Sequence, residues 1–265
     1  MEAMSGEVLA LLFFAGLVGG FVDSIAGGGG LITVPLLLAT GMAPVNALAT
    51  NKASAMFGSF TASYTYARKG HVNLGEMKFA IGFTFIGSAM GTLLVQTLDG
   101  RVMMAVIPFL LIATSLYFAF GPRLSDIDRH HIMERTPFYA LFGISIGFYD
   151  GFFGPGTGSL WALAFVAVLG FGMLKATAHT KVVNFTSNFA SFLFFAFAGH
   201  VLWLPAAVMA LGQLFGARIG ANTAIKHGSN IIRPLLVMVS LIITTKLIYD
   251  DPENIIHMWI IKIIG

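Results

Sequence analysis

Apolar residues in this chain fall in long blocks separated by short polar or glycine-containing breaks, and the blocks predict helical elements. In the first half they cover roughly 7–22, 31–40, 45–67, 76–98 and 102–120. In the second half they cover roughly 138–149, 158–169, 174–198, 202–225 and 231–249. The second block of each half is only about a dozen residues, near 18 Å at about 1.5 Å per residue. That is too short to cross about 30 Å of hydrocarbon. Each short block follows a helix-breaking run, Gly27-Gly28-Gly29-Gly30 or Gly154-Pro155-Gly156-Thr157-Gly158. At membrane depth such a run must be buried in protein or line a cavity. Broken helices at matching places in two halves are the best sequence pointer to a transporter's binding site.

Composition sharpens this picture. Of 265 residues, 57% are hydrophobic and 10% charged, against about 25% charged in an ordinary soluble domain. The class expected is an all-α polytopic membrane protein, with no room for a separate extramembrane domain, so any function sits in the bilayer. The net charge of +3 reads as topology signals among hydrophobic runs, not as a nucleic-acid surface. With no cysteine there is no disulfide framework and no thiolate metal site. The amino terminus has no basic stretch before its apolar run, so the first block is read as a span and not as a cleaved signal.

The chain contains itself twice. Gly20-Phe21-Val22-Asp23 is matched by Gly147-Phe148-Tyr149-Asp150, with Gly16, Gly27 and Gly29 matched by Gly143, Gly154 and Gly156, all at an offset of 127 residues. Further along, Lys52 pairs with Lys181, Gly70-His71-Val72 with Gly199-His200-Val201, and Gly87 and Gly91 with Gly216 and Gly220, at an offset of 129. The domains expected are a transmembrane repeat over 1–122, a cytoplasmic linker over 123–137, a second repeat over 138–250 and a short interfacial segment over 251–265. Equivalent loops alternate in charge. Arg68, Lys69 and Lys78 face a counterpart at 199–204 with no Lys or Arg, while the Asp99 and Arg101 connection faces Lys226 and Arg233. Arg123, Arg129 and Arg135 between the halves contrast with Asp250, Asp251 and Glu253. By the positive-inside rule the halves are expected upside down relative to each other, as two inverted-topology repeats of about five elements each.

An ionisable group inside a span costs about 2.5–3.5 kcal/mol on insertion scales and faces a cavity or a partner. Lys52 lies about 10 Å into its element, and a pseudo-two-fold axis would bring it and Lys181 toward one central site. Two ammonium groups there either hold an anionic ligand or serve as structural counter-ions to Asp23 and Asp150. The helix starts after the glycine runs, at Gly28, Gly29 and Gly30 and at Gly156, Thr157, Gly158 and Ser159, offer free amides and a positive dipole end to an anion. Tight packing through small residues is the alternative. Asn51, Thr180, Asn184 and Asn188 add polar groups beside the lysines, either lining a path or tying helices together, and Lys181, Asn184 and Asn188 share one helical face. Asp23, Asp150 and His179 are the candidates for coupling or ion pairing. His71 and His200 follow glycines that suit helix termination, with proton sensing the alternative. No phosphate loop and no metal cluster is evident, so neither cofactor nor metal is expected.

The stretches Val22-Asp23-Ser24-Ile25-Ala26-Gly27-Gly28-Gly29-Gly30-Leu31, Ala47-Leu48-Ala49-Thr50-Asn51-Lys52 and Gly147-Phe148-Tyr149-Asp150-Gly151-Phe152-Phe153-Gly154-Pro155 resemble the TauE/SafE family of bacterial membrane proteins, especially its YfcA-type members. The resemblance covers roughly residues 7–250. It implies a multi-pass inner-membrane protein that exports sulfite or small organosulfonates. The reading is therefore a secondary transporter working by alternating access, not an enzyme, whose partners are a small anion and the lipid bilayer, with a homodimer left open. Outward movement of an anion gains about 2.3 kcal/mol per 100 mV, so the potential alone can drive it. Import, proton coupling through Asp23 or Asp150 with another small organic anion, and an intramembrane enzyme using those two carboxylates as acid and base remain the rivals.

Overall fold

Gly27 ends the first helix. The computed structural model describes residues 5–120 and 130–227, and in it α1 (Gly6–Ala26) begins behind Ser5, whose hydroxyl accepts from the Val8 amide, and stops at Gly27 with φ +80°. Only glycine takes that left-handed conformation without a Cβ penalty, and the Gly27 N–H caps the Asp23 carbonyl. α2 (Gly30–Ala39) and α3 (Pro44–Arg68) follow, then a 3-10 turn (Leu74–Met77) leading into α4 (Lys78–Val95), and α5 (Gly100–Phe120). After the connection come α6 (Arg135–Phe152), α7 (Thr157–Ala167), α8 (Met173–Phe197) and α9 (Trp203–His227). No strand occurs among the described residues. The expected element 231–249, the segment 251–265, the linker residues 123–129 and Arg233 lie outside the described residues.

The blocks and helices agree in order and differ at the ends. α1 runs through Asp23 to Ala26, four residues beyond the apolar block, and α6 covers 135–152 where 138–149 was expected. Hydrophobicity marks what is buried, whereas a helix stops where a glycine or a cap stops it. The fourth block, read as one helix over 76–98, is a 3-10 turn followed by a helix that ends at Val95. Both Gly-His-Val sequences end their helices in the same way. Gly70 and Gly199 have φ of +78° and +77°, and the His71 and His200 amides donate to the Tyr66 and Phe195 carbonyls, each at 3.0 Å. These are the bonds of a Schellman termination.

Gly6–Ala26, Leu74–Val95 and Trp203–Lys226 are long and apolar enough to cross a membrane. α3 and α8 are as long, at 25 residues each, yet less apolar, because their buried faces carry Asn51, Lys52, Ser54, Ser59, Lys181, Asn184, Ser187 and Asn188. Their outer faces show Phe57, Phe60, Tyr64 and Phe189. Around them two glycine seams bring helix backbones into contact. On α1 against α9, a methyl at Gly16 would collide with the Met209 carbonyl, and one at Gly216 with that of Leu17. On α4 against α6, a methyl at Gly87 would strike the Ile144 carbonyl and one at Gly91 that of Phe148. Such small-residue seams hold helices together where no hydrophobic gain is available from lipid. The two seams use glycines at repeat-equivalent positions.

Candidate functional site

The carboxylates sit at the C-terminal ends of α1 and α6, one turn before the breaks, and the lysines sit on the buried faces of α3 and α8. The pairing crosses between halves. Lys52 Nζ lies 2.5 Å from Asp150 Oδ1, and Lys181 Nζ lies 3.4 Å from Asp23 Oδ2 while donating to the Asp23 backbone carbonyl. Removing two charges from water is costly unless geometry and added hydrogen bonds compensate, and the two pairs meet that demand differently. Asp150 is 4% exposed at its side chain, and its Oδ1 also accepts from the Thr157 hydroxyl at 3.1 Å while its Oδ2 accepts from Ser187. Asp23 is 24% exposed at its side chain, and its only other bond among the described residues is a 3.4 Å contact from the Gly29 amide.

The two breaks meet back to back. A Cβ on Gly27 would stand 2.5 Å from the Gly158 Cα, and Gly30 lies against Pro155. The Ser159 hydroxyl donates to the Ala26 carbonyl at 2.6 Å, fastening the start of α7 to the end of α1. Gly156 before α7 has no side-chain cap, and the Gly29 amide before α2 has only the 3.4 Å contact to Asp23 Oδ1. The Gly156 and Gly158 amides have no acceptor among the described residues. A cavity of about 30 Å³ opens between these helix starts, lined by Asp23, Asn51, Lys52, Asp150, Asn184, Asn188, Gln213 and all the glycines of the breaks but Gly28. That is space for about two waters, so a larger occupant requires the walls to separate.

The residues singled out from sequence are distributed as follows. Gly29, Gly30, Gly156, Thr157, Gly158, Asn51, Lys52, Asn184, Asn188, Asp23 and Asp150 line the cavity. Gly28, Ser159, Thr180 and Lys181 do not, although Lys181 reaches Asp23 from behind. The Thr180 hydroxyl is buried without a hydrogen-bond partner among the described residues. His179 lies apart, with its ring against Phe165 and Phe171 and Nδ1 at 2.8 Å from the Lys175 carbonyl. Gln213 and Ser187 escaped the sequence reading. Gln213 is a buried amide inside an apolar block, which was the available signal, and Ser187 falls three positions after Asn184 on the same face of α8.

The ionised groups of the site, two ammonium and two carboxylate, sum to zero. The starts of α2 and α7 add partial positive charge, so the surplus potential favours an anion. The amide oxygen of Asn184 is buried without a partner among the described residues, an acceptor left for a ligand or water. Among those residues no three His, Asp or Glu side chains converge as a metal site would need.

Comparison with known proteins gives a consistent result. Residues 12–247 match the family described as Sulfite exporter TauE/SafE. The chain is 49% identical to a "Probable membrane transporter protein" of Haemophilus influenzae over 92% of its length and 96% of the relative's. It is 46% identical to "Probable membrane transporter protein YfcA" of Escherichia coli K12, covering 97% of this chain and 96% of that one. A more distant "Probable membrane transporter protein YunE" of Bacillus subtilis is 27% identical over 93% of this chain and 98% of the relative. No solved structure gives a significant match.

Proposed function

We propose, from the premise that the chain belongs to the Sulfite exporter TauE/SafE family and is a membrane transporter of that family, that it exports a small sulfur-containing anion, sulfite or an organosulfonate, by alternating access. The observation that carries this reading is the cavity where the starts of α2 and α7 meet Lys52, Asp150 and Asp23, members of two Lys–Asp pairs that each join the two halves. Separating the halves breaks both pairs, and a ligand that holds the helix starts can replace part of what is lost. An inverted relation between repeats 1–122 and 138–250 is supported by alternating loop charges and by glycine seams at equivalent positions. On this reading the protein is multi-pass in the bacterial inner membrane.

An enzymatic role for the two carboxylates is disfavoured because Asp150 is 4% exposed at its side chain and already engaged by Lys52, Thr157 and Ser187. The test is flux in proteoliposomes of sulfite, thiosulfate, sulfoacetate, taurine and carboxylates, with and without an imposed potential. Sulfur anions are expected to move, and Lys52→Ala and Lys181→Ala to abolish the movement while the protein still inserts. Normal transport by both variants would remove the lysines from the mechanism.

A further inference from the structure

The two ion pairs have the same composition and opposite settings. Asp150 accepts from Lys52, Thr157 and Ser187 and is 4% exposed at its side chain. The residues of the first half that correspond to Thr157 and Ser187 are Gly30 and Gly58, neither of which has a hydroxyl. Asp23 is therefore left with a 3.4 Å ion pair, a 3.4 Å amide contact and 24% side-chain exposure, at the wall of the same cavity.

We infer that Asp23 is the proton-carrying group of the transport cycle, taking up one proton with each anion, and that Asp150 is a fixed positioning group. This rests on the transporter reading and assigns its coupling. With all four groups ionised their charges cancel and only the partial charge of the two helix starts is left to the anion, so an anion arriving alone is incompletely compensated in a poorly solvated place, which is expensive. A proton on the Asp23 carboxylate cancels one unit of the anion's charge. It breaks no covalent bond and leaves Lys181 held by the Asp23 backbone carbonyl, its ammonium charge behind the cavity wall no longer cancelled by the carboxylate. Protonating Asp150 would instead sacrifice bonds from three partners. The charged and titratable groups facing Asp23 are Lys181 of α8, Tyr66 of α3, whose hydroxyl donates to the neighbouring Ser24 carbonyl at 3.0 Å, and Lys52 and Asp150 across the cavity. α9 contributes the uncharged Gln213, and the starts of α2 and α7 contribute only backbone. Because linkage is reciprocal, the proton raises affinity for the anion and the anion raises affinity for the proton. Both travel in the same direction, so the step is electroneutral and driven by the anion gradient for a monovalent anion, and carries one net negative charge that the potential also drives for divalent thiosulfate.

The experiment uses the full chain in sealed vesicles with a pH dye inside and the potential clamped at zero. External thiosulfate is the probe, since it does not titrate near neutrality. The wild type is expected to acidify the lumen by about one proton per anion that enters. In Asp23→Asn the ratio falls to zero. Gly58→Ser places a hydroxyl at the repeat position of Ser187, where the Gln213 side chain now lies and must move aside. That variant moves the pH midpoint of flux about one unit toward acid, an effect that a merely structural Asp23 would not give. Thiosulfate entry without acidification in the wild type overturns the inference and leaves the transporter assignment standing, as does an Asp23→Asn protein that still moves one proton per anion. Failure of thiosulfate, sulfite and sulfoacetate alike to enter would overturn the assignment itself.

Discussion

Lys52 and Asp150 touch at 2.5 Å with almost no access to water, so neither tolerates loss of the other. Breaking such a pair from one side leaves a buried uncompensated charge, at a cost of about 3–5 kcal/mol. Asp150→Asn and Lys52→Ala are each expected to lower the unfolding temperature in detergent. The double variant Lys52→Met with Asp150→Asn should recover most of that loss and still fail to transport. A double variant less stable than either single one would show that the pair is not the unit described here. At this scale the sequence shows the ionisable residues but not their partners. Two lysines and two aspartates at repeat-equivalent positions fit pairing within a half as well as across halves. The unequal shells of Asp23 and Asp150 become visible only when Ser187 and Thr157 are seen to reach one carboxylate while Gly58 and Gly30 stand at the matching places.

Helix seams decide how the elements assemble. A methyl group on Gly91 of α4 or Gly216 of α9 has no space beside the facing backbone carbonyl, and overpacking of that kind costs about 1–3 kcal/mol. Gly91→Ala and Gly216→Ala are expected to destabilise by that amount in thermal unfolding. Gly82→Ala, on the exposed side of α4 with nothing nearby, should instead stabilise by up to about 1 kcal/mol through helix propensity. Equal effects at all three positions would refute the seam. The glycines four apart were legible as repeat matches, and the runs at 27–30 and 154–158 as helix breaks. Which helix each glycine faces was not, because a spacing fixes a face and says nothing of its partner. Gln213 was missed for the same reason, since one amide in an apolar block gains meaning only where α9 meets the cavity.

For the molecule as a whole, the proposed inversion makes a claim about sidedness that a chain without cysteine allows to be tested cleanly. Lys69 and Ala198 are exposed, repeat-equivalent positions at the ends of α3 and α8. Lys69→Cys and Ala198→Cys are expected to react with an impermeant maleimide from opposite sides of the membrane, and reaction from the same side would defeat the inversion. What the sequence determined by itself is the membrane class, the order of the helices, the breaks and the identity of the buried charges. Those follow from local composition, from glycine's access to left-handed backbone and from the cost of charge in hydrocarbon. Tertiary structure alone decided that each lysine crosses to the other half's aspartate, that the breaks touch back to back, and that one carboxylate is fully bonded while its twin is left open to the cavity. Those outcomes depend on distances between residues as far as 158 positions apart in the chain, which no local pattern encodes.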